Sequence, residues 1–292
     1  SPRAEAERQR FLEHGPVQAT LAYHRARMIE MLHAVEVIDE LLDDDALAYA
    51  TLDAPEPLTL CPEASHGHAG SPGLAGHRDG RRFAHRWTLT EASAFQGDAS
   101  AAGDAAAGGA PAGTAPSNRL AFTLRDAAGA LQLDIVLELD PDSDVLSIAT
   151  TLHNLGDDEY TVDWLASATL PLPRSHVEIL SQHGRWGLEN QTHRRHIAPG
   201  RIDISNLHGR TSHEHAPGLI CGTDGFGVNG GDVMFAQLAW SGNFSLRVER
   251  LSNGVISLQA GVLNLPGEVI LQPGEQLATP AVSFTRGTGA FS

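Results

Sequence analysis

The amino-acid sequence predicts a mainly β protein, a sandwich or barrel of short strands, preceded by an N-terminal helical segment. Three observations carry this expectation. Apolar residues recur at helical three-and-four spacing only in the first 52 residues. Pro55 and Pro57 then break the pattern. Beyond them, short strand-like runs alternate with clusters of Gly, Asn, Asp and Pro, which suits hairpins better than the helical crossovers of a parallel sheet.

Within residues 1–52, Met28, Met31, Leu32, Val35, Ile38, Leu41 and Leu42 share one helical face. The acidic run Asp43–Asp45 is unfavourable at the negative end of a helix dipole and marks a stop. Such a helix is expected to pack on a larger body rather than to recruit a partner. Residues 53–292 are expected to form one β domain. Strands are read at Arg82–Thr90, Leu120–Arg125, Leu131–Leu139, Leu146–His153, Glu159–Leu170 and His176–Gln182. Further strands are read at Arg201–Leu207, Gly218–Cys221, Val233–Trp240, Leu246–Arg250, Val255–Val262 and Gln276–Thr285. Residues 98–117 form an Ala/Gly/Pro-rich insertion, too poor in large apolar side chains to offset the entropy of ordering, and are expected to be a flexible surface loop.

A chain of 292 residues is long enough for one large domain with a sizeable core. Its net charge of −16 disfavours nucleic-acid backbones and anionic membranes as partners. No apolar run approaches the roughly 20 residues that cross a bilayer. Cys61 and Cys221 do not make a disulfide framework, and Ser1–Arg10 is charged with no apolar stretch behind it. A cytoplasmic protein with reduced thiols is the expectation.

The residues alone point to no catalytic centre. His66/His68 and His213/His215 have the His-x-His spacing that puts two rings on one face of a strand. Catalytic zinc generally needs three protein ligands, and no Cys-x-x-Cys or His-Glu-x-x-His accompanies the pairs. Hydrogen-bonding histidines on a loop-built surface are the plainer reading. Gly-x-Ser-x-Gly is absent, and the glycine-rich stretch Gly222–Gly231 lacks both the phosphate-loop ending and the dinucleotide spacing, so it is read as a hairpin loop. Glycoside hydrolysis needs two carboxyl groups held across the scissile bond, and no pair stands out from the acidic surface. No cofactor and no metal are expected.

Several ordered motifs carry more information together. Glu178-Ile-Leu-Ser-Gln-His183-Gly184-Arg185-Trp186, followed by Glu189-Asn-Gln191, resembles the His-Gly-x-Trp…Glu-x-Gln stretch of family 36 glycoside hydrolases. Ser212-His213-Glu214-His215 is similar to that family's Ser-His-x-His-Asn-Pro segment, and Trp240-Ser241-Gly242-Asn243-Phe244 to its Tyr-Ser-Gly-Asn-Phe. Leu271-Gln-Pro273-Gly274-Glu275 with Thr279-Pro280 resembles its Leu-x-Pro-Gly-Glu…Thr-Pro ending. Upstream, Pro62-Glu63…Gly70-Ser71-Pro72-Gly73-Leu74 and Gly76-His77-Arg78-Asp79-Gly80 resemble its Pro-Glu…Gly-x-Pro-Ala-Leu region. The likeness runs from about Asp53 to the C-terminus and leaves out the helical segment.

This resemblance implies a β-supersandwich, galactose-mutarotase-like, that precedes a (β/α)8 catalytic barrel in the family. It implies an α-galactosidase-type enzyme, which hydrolyses terminal α-galactosides with retention. The family's two catalytic aspartates lie in Lys-Trp-Asp and Cys-x-x-Gly-Gly-Arg segments of the barrel. Neither segment occurs in this sequence, so the chain by itself is expected to be inactive. The resemblance further implies loops that approach a barrel mouth, in some members that of a neighbouring subunit, and hence a homo-oligomer. Candidate pocket or interface residues are His66 and His68 in the Ser65–Ser71 loop, Arg78, Trp186, His213, His215 and Asn243. A face missing its barrel is expected to show exposed apolar side chains. Two rival expectations are a stand-alone carbohydrate-binding sandwich, which predicts sugar affinity without a barrel, and a metal-dependent enzyme built on the His-x-His pairs, which predicts stoichiometric bound metal.

Overall fold

A computed structural model describes residues 58–95, 119–140, 142–211 and 213–288. The expected helix of residues 1–52 and the insertion at 98–117 lie outside the described residues. The described chain contains one 3-10 turn, Ala64–His66, and seventeen strands. These are β1 (Leu74–His77), β2 (Thr88–Phe95), β3 (Arg119–Asp126), β4 (Leu131–Asp140), β5 (Val145–Asn154) and β6 (Tyr160–Leu165). They continue as β7 (Ala168–Leu172), β8 (His176–Arg185), β9 (Leu188–His196), β10 (Gly200–Asn206), β11 (His215–Thr223) and β12 (Asp232–Leu238). The last are β13 (Phe244–Arg250), β14 (Ile256–Val262), β15 (Val269–Leu271), β16 (Gln276–Ala278) and β17 (Val282–Thr288).

Three antiparallel sheets result. The ten-stranded sheet runs β2-β3-β4-β5-β17-β12-β11-β8-β9, with β16 pairing a second stretch of β5. A four-stranded sheet, β10-β13-β14-β7, and a three-stranded one, β1-β6-β15, complete the fold. Strict alternation puts Leu131, Leu133, Ile135, Leu137 and Leu139 of β4 in the core while their neighbours face outwards. They share one apolar cluster with Leu246, Val248, Ile256, Leu258, Leu170 and Leu172 of the four-stranded sheet. Sheet-on-sheet burial of this kind is the sandwich that the alternation predicts.

Two runs read as single strands are each divided in the structure. Glu159–Leu170 becomes β6 and β7, because the Ala166 N–H donates to Gly73 O and the Ser167 N–H to Ala260 O, 2.8 Å each. The chain thereby passes from the three-stranded to the four-stranded sheet. Gln276–Thr285 becomes β16 and β17 at Pro280, which has no N–H for the ladder. Thr279 fills the gap: its N–H donates to Thr150 O (2.9 Å) and its Oγ1 accepts the Thr150 N–H (3.0 Å). The expected strand at Arg82–Thr90 begins only at Thr88. Before it, the Trp87 N–H donates to both carboxylate oxygens of Glu63 (2.8 and 3.1 Å) and His85 turns inward, so side chains take the bonds that a ladder would supply. The stretch Gly222–Gly231 does lie in the β11–β12 hairpin, with Phe226 buried beneath it.

A polar network joins the sheets where the aliphatic core ends. Arg78, 6% exposed, donates to Gly129 O (3.1 and 3.0 Å), Asp158 O and the Asn154 Oδ1 (2.6 Å), and its guanidinium sits over the Tyr160 ring, 5.4 Å from its centre. Asn154 in turn donates to Asp158 O and Leu271 O, both at 2.9 Å. The Tyr160 hydroxyl lies 3.0 Å from His85 Nε2, and His85 Nδ1 lies 3.1 Å from Asp126, all three buried. This Asp–His–Tyr chain ties the segment before β2 to the end of β3 and the start of β6. Both cysteines are free and buried, and burial pushes their thiols up. Among the described residues, no helix is long and apolar enough to cross a membrane.

The buried polar groups bear on stability in two testable ways. Arg78→Met strands several buried carbonyl oxygens and is expected to cost on the order of 3 kcal/mol or more, read from the urea midpoint. His176, 1% exposed at the start of β8, has its imidazole pushed down from 6.5 to about 4 by burial first and the Arg286 charge second. The unfolded chain therefore takes up this proton at higher pH than the folded one. The stability that neutral His176 contributes is complete above pH 6.5 and is lost as pH falls towards 4, at up to about 1.4 kcal/mol per pH unit. Urea midpoints measured across that window are expected to fall with pH, and more shallowly in His176→Leu.

Candidate functional site

Three of the motif segments meet at one end of the sandwich. The first is the β8–β9 hairpin, which turns at Trp186–Gly187 between the paired Arg185 and Leu188. Gly184 is required there because a Cβ would run into the backbone of Leu188 and Glu189 across the hairpin. The second segment, 207–214, leads from β10 into β11 and is tied to the first by the Gly184 N–H, which donates to Glu214 O (3.1 Å). The third, 240–243, leads from β12 into β13. Asn243 Oδ1 accepts the Gly209 N–H (2.7 Å), and the Thr211 N–H donates to Ser241 O. Buried Asn206 donates to Arg210 O (2.7 Å), completing the clasp. Gly242 lies close to Trp240: a Cβ would sit 2.5 Å from the indole Nε1, so a larger residue there would turn the half-exposed indole aside.

The clasp frames an open cleft of about 430 Å³ lined by His208, Arg210, Thr211, His213 and Glu214. His208 Nε2 lies 2.7 Å from the Glu214 carboxylate, and this contact holds the Glu214 carboxyl below its ordinary range. Alongside, on the sheet itself, His215 pairs in register with His183, whose ring meets that of His193 edge-on at 5.2 Å. Burial, then the charges of His183 and Arg195, push the His215 imidazole down. Five of the 15 histidines, His183, His193, His208, His213 and His215, lie in or beside these segments, so this end is rich in imidazoles. Among the described residues, even so, no three His, Cys, Asp or Glu side chains are grouped so that they could hold a metal ion.

The sequence-predicted residues are thus divided between places. Trp186, His213, His215 and Asn243 come together at this end. Trp186 is 83% exposed at the hairpin tip, Asn243 acts through its clasp, and the two histidines of the His213/His215 pair separate, one to the cleft and one to β11. His66 and His68 do not join them. Their loop is fastened at Glu249 near the far end of β13, about 17 Å from Phe244 by strand rise. There the Ser71 N–H donates to Glu249 (2.6 Å), Gln259 donates to Ser71 O (2.8 Å) and Arg201 to Ser71 Oγ (3.2 Å). His66 meets buried Glu63, while His68 is partly buried with its Nε2 enclosed, so the pair does not converge on one point. Arg78 is engaged by backbone carbonyls in the interior and does not reach this end.

Leu188, Leu207, His208 and Trp240 are not among the candidate residues read from the sequence, although Trp240 opens one of its motifs, yet they belong to this end. Leu188, Leu207 and Trp240 are 48%, 56% and 44% exposed and, with Trp186, give it an apolar cast. Their signal was available: each lies in or near a motif segment and is an apolar residue beside turn residues. His208 carried none, because its partner Glu214 is set by loop closure rather than by periodicity.

Residues 26–272 match the family model described as the glycosyl hydrolase family 36 N-terminal domain. The chain is 34% identical over 214 residues to an α-galactosidase from Escherichia coli, a stretch that covers 73% of this chain and 27% of that protein. It is 23% identical over 131 residues to a bifunctional α-galactosidase/sucrose kinase from Mediterraneibacter gnavus, covering 45% of this chain and 14% of that one. In fold, it is similar to the crystal structure of a family 36 α-galactosidase from Geobacillus stearothermophilus, with a TM-score of 0.69 at 19% identity over 80% of this chain and 32% of the other. The galactosidase domain of the α-galactosidase-sucrose kinase superposes with a TM-score of 0.70, again at 19% identity, over 82% of this chain and 33% of that one. The chain thus spans between about a seventh and a third of the length of these relatives, and it belongs to glycosyl hydrolase family 36 through the N-terminal domain of that family.

Proposed function

We propose that this chain is the non-catalytic N-terminal part of an α-galactosidase-type glycoside hydrolase and that it supports a separate (β/α)8 barrel, which carries the retaining hydrolysis of terminal α-galactosides. The observation that carries this reading is the extent of the match: a family domain model fits residues 26–272, while the chain spans 27% of the Escherichia coli α-galactosidase. The clasped end is the face we assign to the barrel. Trp186, Leu188, Leu207 and Trp240 present apolar surface there, and braced loops underlie them, as a docking face needs. Trp186 has the chemistry to stack on a pyranose or on the barrel, and His213 and His215 to order the contact through hydrogen bonds. The same reading assigns the protein to the cytoplasm and to a homo-oligomer.

The purified chain is expected to release nothing from a chromogenic α-galactoside, whereas a longer protein carrying it ahead of a family 36 barrel turns the substrate over. Turnover by the chain alone would overturn the assignment. A carbohydrate-binding module at a hundredfold its Kd gains about 2.7 kcal/mol, so raffinose or galactose is expected to leave the melting temperature of the chain unchanged. Substituting Trp186→Ser and Leu207→Ser is expected to leave the stability of the chain within about 0.5 kcal/mol, because both side chains are exposed. In the longer protein the same pair lowers activity or splits the melting transition. Equal behaviour in both proteins would remove the clasped end from the barrel interface.

A further inference from the structure

Three enclosed polar atoms without a hydrogen-bond partner fall on one face of the ten-stranded sheet. Ser181 is 2% exposed, yet its Oγ has no partner among the described residues. Arg195 Nε and His215 Nδ1 are enclosed and unpartnered in the same way. The strand pairing sets them side by side. Ser181 of β8 stands opposite His193 of β9, and Ile179 opposite Arg195, so residues 179, 181 and 183 share a face with 191, 193 and 195. On the other flank of β8, His215 of β11 stands opposite His183. Arg195 is a diagonal neighbour of Ser181, at a spacing that a long side chain spans. The His183 and His193 rings meet with their centres 5.2 Å apart.

The carboxylates nearby are engaged elsewhere. Glu178 lies on the opposite face with Arg194, Glu214 meets His208 at 2.7 Å, and Glu189 accepts the Gly187 N–H at 2.7 Å. A buried hydroxyl without a partner is unfavourable, and cationic side chains gathered around it repel one another. One anion among them relieves both. Shape decides which anion fits. The donors come from three adjacent strands and so approach from different directions, which suits a tetrahedral ion better than the coplanar oxygens of a carboxylate. Charge agrees, because Arg195 supplies one fixed positive charge and a protonated imidazole the second. His183 and His215 are half-buried and His193 is exposed, so rotation of their rings opens the way to Ser181.

We infer that Ser181, His183, His193, Arg195 and His215 form a binding site for a small tetrahedral dianion, inorganic phosphate or the phosphate group of a monoester. The ion accepts hydrogen bonds from the Ser181 hydroxyl, the Arg195 guanidinium and the imidazole N–H groups. It needs no barrel, so the site stands apart from the glycosidase assignment. Binding is linked to protons. Burial first, then the charges of His183 and Arg195, hold the His215 imidazole below its ordinary range, against the pull of Glu214. His193 of β9 adds to the lowering, and His208, Arg210 and His213 lie in the adjoining 207–214 segment. Across the sandwich, β10 and β13 contribute Ile204, Leu246 and Val248 to the core, while Arg250 is bonded to Ile197 O (3.4 Å). Asp232 of β12 pairs with Arg286 at the far end. A dianion set among these groups favours the protonated ring, so binding takes up a proton and tightens as pH falls.

Histidine NMR signals of the 292-residue chain, titrated with sodium sulfate at fixed ionic strength, test it. Sulfate keeps both charges from about pH 8 to about pH 6, so any pH dependence belongs to the imidazoles. Saturable shifts are expected for His183, His193 and His215 and not for His196, which lies on the opposite face of β9, with affinity rising several-fold towards the lower pH. Arg195→Gln removes a charge-assisted hydrogen bond and is expected to weaken binding about tenfold. Ser181→Ala is expected to weaken it several-fold; since this hydroxyl has no partner within the chain, the variant keeps its fold and separates loss of the site from loss of structure. Inorganic phosphate and phenyl phosphate are expected to compete with sulfate. Tighter binding of phenyl phosphate assigns the site to a monoester, and equal or weaker binding assigns it to the free ion. Shifts that grow without saturating, acetate binding as tightly as sulfate, or undiminished affinity in Arg195→Gln overturns the inference.

Discussion

A guanidinium removed from water holds its place only where oxygens surround it, and in this fold that requirement organises the contact between the three-stranded and the ten-stranded sheets. Arg78 lies just beyond β1, yet it reaches the turn after β3 at Gly129, the turn after β5 at Asp158 and the end of β5 at Asn154. Asn154 passes the connection on to Leu271 in β15. None of these contacts is aliphatic, and each is directional, so the network fixes the sheets at one relative position where apolar packing would tolerate several. Tyr160, His85 and Asp126 extend it towards the edge where β2 begins.

Against that fixed interior, the clasped end is built from loops that brace one another. Its backbone bonds run from hairpin to loop to loop, from Gly184 to Glu214, Gly209 to Asn243 and Thr211 to Ser241. The motif residues of these segments are thus tied chiefly to neighbouring backbone, which explains why they occur as short blocks at fixed separations. Side chains left over by the bracing, Trp186 and His213 among them, are the ones available to a partner.

Much of the fold was legible in the sequence. Leu131–Leu139 alternates so cleanly that β4 follows from its side chains alone, and β3, β5, β12 and β14 are nearly as plain. β9 was not, because a strand wet on both faces has no apolar period to read. The division of Glu159–Leu170 was hidden for a different reason: continuity of apolar residues does not say which sheet they join. The site was legible in part. Trp186, His213, His215 and Asn243 were picked out by ordered motifs and do gather at one end. Arg78 was picked out by the same reasoning and is instead an interior scaffold, since a motif reports constraint and not exposure. Neither histidine pair puts two rings on one strand face, since His66 ends a 3-10 turn and of the second pair only His215 lies on a strand; spacing along the chain says nothing of where loops lead.

The passage from β6 to β7 has a mechanical consequence. Successive amides, Ala166 and Ser167, donate to Gly73 and to Ala260, which belong to segments of two different sheets. Pulling or melting the small three-stranded sheet therefore loads the four-stranded one directly, without a slack linker between them. Such a joint transmits strain instead of absorbing it. A partner that seats against either sheet is felt by both, and the two behave as one rigid block, the property a scaffold needs if it is to hold another body at a fixed angle.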